Sequence, residues 1–205
     1  FQHIVDKKIT GCGFTEYCMR NNMNVVLCSP RRALLENKMD QHQKEQNVIY
    51  FKNDIELASY DRELFIKPNE ETALTIEAEN EKFQRLEQLK KDVENKMLNY
   101  LGIGCKILVT YDSFRHIKDI LERNHVLGEF FVVIDEFQSI FVDSKFKSDA
   151  EIELLGHLNG IKNLCYVSAT PMLDKYLEML DEFKDLPYYE LDWVTEDPGR
   201  IISPE

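Results

Sequence analysis

Five short runs, at residues 24–28, 47–51, 106–110, 130–134 and 163–167, are apolar almost without interruption, and they constrain the chain more than any other feature. A strand with one face in water alternates apolar and polar residues, whereas a run that does not alternate is covered on both faces. Stretches with helical patterning at 14–22, 31–43, 112–124, 150–158 and 173–183 separate and follow these runs. The repeated order of strand, helix and strand predicts an α/β fold, a mostly parallel sheet with helices on both faces. The 205 residues are enough for one such core and short for two, so a single domain over 1–205 is expected.

Residues 53–100 stand apart from this pattern. They are rich in charge and end in a long predicted helix over 76–100, in which Phe83, Leu86, Leu89, Val93 and Met97 recur at three- and four-residue spacing. We read the segment as an inserted, solvent-facing helical arm whose apolar stripe packs on the parent sheet, or on a neighbouring domain, or docks a partner. The chain starts at Phe1 rather than Met and trails off through Asp197-Pro198-Gly199-Arg200, so a piece of a larger protein is expected.

The formal net charge of −12 argues against a broad face for nonspecific phosphate-backbone binding, because such a face is strongly basic. Any nucleic-acid contact must then be local or come from another domain. The cysteines, Cys12, Cys18, Cys28, Cys105 and Cys165, are odd in number, contain no CxxC pair and lie mostly in apolar runs, where a thiol acts as a small hydrophobe. That usage suits a reducing cytoplasm. No run approaches the length of about 20 apolar residues that spans a bilayer, so no membrane partner is expected.

Three segments carry candidate chemistry. Thr10-Gly11-Cys12-Gly13-Phe14-Thr15 precedes a predicted helix and has glycines spaced so that backbone N–H groups can close around phosphate oxygens. Read by itself it is a glycine turn capping a helix or a phosphate cradle. Val132-Val133-Ile134-Asp135-Glu136-Phe137-Gln138 is an apolar strand that delivers two carboxylates at its C-terminal end, where open α/β sheets bind ligands. Asp135 there suits a Mg²⁺ ligand and Glu136 a base that polarises water, while an acidic pair is also an ordinary helix start. Tyr166-Val167-Ser168-Ala169-Thr170-Pro171 runs from a strand into small hydroxyl residues, and its plain reading is a helix capped by Thr170 with Pro171 at the first position.

In this order the three segments resemble motifs I, II and III of superfamily 2 helicases of the DEAD/DEAH type. Two more segments agree: Ser29-Pro30-Arg31-Arg32-Ala33-Leu34-Leu35 is similar to motif Ia, and Val109-Thr110-Tyr111-Asp112-Ser113-Phe114 to the strand-end threonine motif after it. The resemblance implies a RecA-like P-loop domain that binds ATP and Mg²⁺. Thr10, Gly11, Cys12, Gly13, Phe14 and Thr15 would face the phosphates, Thr15 and Asp135 would hold the metal, and Asp135 with Glu136 would be catalytic. Ser168, Ala169 and Thr170 would couple nucleotide state to a second RecA-like domain that lies outside this chain. Pro30, Arg31, Arg32, Thr110 and Ser113 would line a DNA or RNA backbone. From the residues alone, Arg31 and Arg32 are also a solvated pair at a helix start, and Thr110 is also a cap.

The departures from the family are specific. Phe14 stands where the working loop has a Lys that meets the β- and γ-phosphates, motif II ends in Phe137-Gln138, and no adenine-reading glutamine segment is evident. Lys7 or Lys8, just upstream, would be the substitute cation. Two functional expectations follow: the motor domain of a helicase-like, nucleic-acid-dependent ATPase in replication or repair, or a helicase-derived domain without hydrolysis that serves as nucleotide sensor or scaffold. A doubly wound domain of unrelated function is the third.

Overall fold

A computed structural model describes residues 2–53, 70–142, 149–170 and 181–191. Seven strands form one sheet: β1 (Gln2–Asp6), β2 (Asn24–Ser29), β3 (Val48–Tyr50), β4 (Lys106–Thr110), β5 (Phe130–Asp135), β6 (Leu164–Ser168) and β7 (Tyr188–Glu190). Their order across the sheet is β3-β4-β2-β5-β6-β1-β7, and every pairing is parallel. The helices are α1 (Phe14–Arg20), α2 (Arg32–Gln41), α3 (Glu70–Tyr100), α4 (Phe114–Arg123), α5 (Ser139–Val142), α6 (Asp149–Leu158) and α7 (Asp181–Lys184). The α/β class with a parallel sheet therefore stands as the apolar runs require.

The direction in which each crossover travels decides which face its helix covers. The connections β1 to β2 and β2 to β3 run toward the β3 edge, while β3 to β4, β4 to β5 and β5 to β6 run back toward the β7 edge. Crossovers of one hand then put α1 and α2 on one face and α3, α4 and α6 on the other. The core divides accordingly. Val5, Val25, Leu27, Leu108, Val133 and Val167 pack with Cys18 and Met19 of α1 and Leu35 of α2. The alternate strand residues, among them Val26, Ile107, Val109, Val132 and Ile134, pack with Met97 of α3, Phe114 and Ile117 of α4 and Leu154 of α6.

The helix expected over 76–100 begins earlier, at Glu70, and the arm it belongs to is not wholly solvent-facing. Leu86, Val93 and Met97 are buried in the larger core cluster, with Leu89 packed against it, while Phe83 is exposed. The stripe thus serves the parent sheet along its C-terminal half. Residues 54–69 of the arm, and residues 173–180 of the expected helix at 173–183, lie outside the described residues.

The helix expected over 112–124 starts two residues later, at Phe114, and the one expected over 31–43 runs Arg32–Gln41. β1 and β7 had no counterpart among the five apolar runs. β7 pairs only with Ile4–Asp6, so Gln2 and His3 extend past it and carry no apolar pattern.

Candidate functional site

In an all-parallel sheet every strand points its C-terminal end the same way. Register aligns Ser29 with Thr110, Cys28 with Ile134, Asp135 with Val167 and Asp6 with Ser168. The five singled-out segments therefore leave the sheet at one edge. Topology alone gathers them there, so the side-chain geometry is the discriminating observation.

Asp135 is the centre of that geometry, with 2% of its surface exposed. Its Oδ1 accepts a hydrogen bond from the Lys7 ammonium at 2.8 Å, and its Oδ2 accepts one from the Thr15 hydroxyl at 3.5 Å. The backbone N–H of Glu136 donates to Oδ1 at 3.1 Å, and the Tyr111 hydroxyl donates to the Asp135 carbonyl at 2.7 Å. Burial pushes the Tyr111 phenol well above its usual range, which keeps it a neutral donor. Glu136 Oε1 lies 4.0 Å from the Lys7 nitrogen, and its Oε2 accepts a hydrogen bond from the Gln138 amide. Gln138 Oε1, in contrast, is buried with no hydrogen-bond partner among the described residues.

The backbone around these groups is bent in unusual ways. Glu136 has φ 59, the left-handed region that costs a residue with a Cβ about 1–2 kcal/mol, and it falls on the second carboxylate of the pair. The glycine loop turns through Lys8 at φ 57, Gly11 at φ 74 and Gly13 at φ 87, and Gly13 is the N-cap of α1 with no side-chain capping bond. A Cβ on Gly11 or Gly13 would meet nothing within 4 Å among the described residues, so conformation rather than crowding calls for glycine. The loop is pinned at its base, where the Lys7 N–H donates to the Ser168 carbonyl at 2.7 Å and the Lys8 N–H to Asp6 Oδ1 at 2.7 Å.

The two upstream lysines diverge. Lys7 is buried against the acidic pair, whereas Lys8 Nζ pairs with Glu190 Oε2 at 2.6 Å on β7. Phe14 is half-buried and packs against the core cluster that β1 to β6 form with α1 and α2. Thr10, Gly11 and Gly13 are exposed and Cys12 is half-buried. Ser168 is buried, with its Oγ accepting from the Thr170 N–H at 2.9 Å and donating to the Thr170 carbonyl at 2.8 Å. Ala169 is buried and Thr170 exposed, while Pro171 lies outside the described residues.

The remaining segments separate into surface and interior. Arg31 and Arg32 are exposed beside half-buried Pro30, with Arg31 as the N-cap of α2 and Arg32 Nη2 donating to the Asn53 carbonyl at 3.1 Å. Thr110 and Ser113 are buried, and Ser113 is the N-cap of α4 without a side-chain capping bond. The arginines lie on the surface at the same edge of the sheet, and the two hydroxyls lie behind it.

Of the two upstream lysines offered as a substitute cation, Lys7 is the one at the acidic pair, while Tyr111 and Gln138 lay inside singled-out segments without a role of their own. For Lys7 the signal was present, since an ammonium at the end of an apolar strand, directly before a glycine loop, has few reasons to be buried. Neither a comparison with protein-family models nor one with curated proteins finds a match for this chain.

Proposed function

We propose that the chain is the nucleotide-binding domain, RecA-like in fold, of a helicase-like, nucleic-acid-dependent ATPase acting in replication or repair. The observation that carries this reading is the meeting of the glycine-loop segment with Asp135. A hydroxyl and an ammonium far away in sequence bracket one buried carboxylate at 3.5 and 2.8 Å. That is an arrangement suited to a divalent metal and a polyphosphate.

The donor set fits Mg²⁺ in one particular way. Among the described residues no group of three or more His, Cys, Asp or Glu forms a cation cage. Mg²⁺ is commonly held by one or two carboxylates together with substrate phosphates, and Asp135 with the Thr15 hydroxyl supplies that partial set of hard oxygens. Bound there, the metal would supply charge neutralisation for phosphoryl transfer. Glu136, with its carboxylate fixed by Gln138, would orient the attacking water and take up its proton. Ser168 and Thr170 would pass the state of the site to a second RecA-like domain, and Arg31 and Arg32 would meet a DNA or RNA backbone.

The uncharged ring of Phe14, half-buried against the core, favours a second reading, in which the domain has kept the cradle and lost hydrolysis, and serves as sensor or scaffold. Titration with a fluorescent ATP analogue and Mg²⁺ separates them. For a working site, the natural chain binds and Asp135→Ala weakens binding at least about tenfold, the scale of one charge-assisted contact. Binding absent from the natural chain but gained by Phe14→Lys, with folding checked by circular dichroism, would favour the scaffold. Binding by neither removes the nucleotide reading.

A further inference from the structure

We propose that Lys7 is the phosphate-binding cation of this site, paired with Asp135 and handed to the phosphates when a divalent metal takes that carboxylate. The proposal rests on the nucleotide-site reading above. Its basis is an ion pair with side chains only 8% and 2% exposed, placed at the one sheet edge where ligands bind. A buried pair is a weak source of stability, because desolvation offsets most of the attraction, so its position calls for another explanation. The loop position that carries a cation in related motifs holds Phe14, an uncharged ring half-buried against the core. Lys8 points to Glu190 instead.

Charge counting supports an exchange. Asp135 and Glu136 without Lys7 would leave two negative charges beside a loop meant for anions, and Lys7 lies 2.8 and 4.0 Å from them. With Lys7 the three side chains together carry one negative charge, enough to attract a metal. A metal at Asp135 would repel an ammonium at that distance, and the nearest favourable destination for the ammonium is the phosphate in the adjoining loop. Thr15 holds the other oxygen of the same carboxylate, so the metal's position stays defined while the lysine leaves.

The test uses the 205-residue chain and its Lys7→Met variant, a side chain of similar length without charge. Calorimetric titration with Mg²⁺ alone and with MgATP gives opposite expected shifts. Mg²⁺ alone binds several-fold tighter to Lys7→Met, since the competing ammonium is gone, while MgATP binds about ten- to a hundredfold more weakly. Lys7→Arg recovers part of the MgATP affinity. If MgATP binds both chains equally, or if Mg²⁺ and MgATP weaken together, the role of Lys7 is overturned and the nucleotide site stands. If the natural chain fails to bind MgATP, the site reading falls first and this proposal with it. Should Lys7→Met not fold, Asp135→Asn decides: with Lys7 released, ATP in EDTA binds more tightly than to the natural chain, and unchanged or weaker binding overturns the proposal.

Discussion

Gly104 and the loop glycines share a left-handed backbone but differ in what surrounds them. At Gly104, φ is +90 and a Cβ would lie 2.9 Å from the Asn22 carbonyl carbon, a backbone atom that cannot step aside. At Gly11 and Gly13 the same atom meets open space. Gly104→Ala should therefore cost about 2–4 kcal/mol in denaturant unfolding, from strain plus overpacking, and Gly11→Ala or Gly13→Ala only about 1–2 kcal/mol. Equal losses at all three would mean that Asn22 moves to make room. Residue-scale legibility had a similar limit at Lys7 and Lys8. Adjacent lysines look alike in a sequence, and the turn of the backbone just past β1, left-handed at Lys8, decided that one lay inward and the other toward β7.

At the scale of elements, the five apolar runs all became strands, because a doubly covered strand must be apolar throughout and so marks itself. β7 escaped because its residues are exposed, and β1 because only half its length is flanked on both sides. Helix α4 adds a property that no periodicity reveals. His116 is buried on it beside the Phe51 ring, 5.7 Å between centroids. Burial first, then Lys90 and Arg115, hold its imidazole down at about 4 against an ordinary 6.5, with Asp119 and Glu87 opposing. The folded state thus resists a proton that the unfolded chain accepts, and stability present above 6.5 is lost as pH falls toward 4. His116→Gln should flatten that part of the pH profile in thermal melts. An unchanged slope would place the His116 ring in contact with water.

For the whole molecule, the sheet divides the core into two apolar layers with separate helices. Leu35 on α2 and Met97 on α3 are fully buried in different layers. Leu35→Ala and Met97→Ala should each cost about 2–5 kcal/mol, and their double variant should lose the sum within about 0.5 kcal/mol. A marked departure in chemical denaturation would show that the sheet transmits strain between layers. The class of fold was legible because it follows from apolar patterning. The strand order was not, since unbroken apolar runs hold no record of which neighbour they pair with. The site stood between these cases: its carboxylates and glycines were readable as types, but the partner that Asp135 chose depended on folding.

One consequence lies in the sheet order. β5, with the acid, and β1, with the loop, are never neighbours, because β6 runs between them. The Lys7 N–H bonds one side of that strand, at the Ser168 carbonyl, and the Phe137 N–H bonds the other, at the Val167 carbonyl. β6 is therefore a ruler fastened to both halves of the site. A slip of a single residue along it, about 3.3 Å, would part acid from loop on both flanks at once, so the spacing that chemistry needs is set by a strand that contributes none of the acid or the loop.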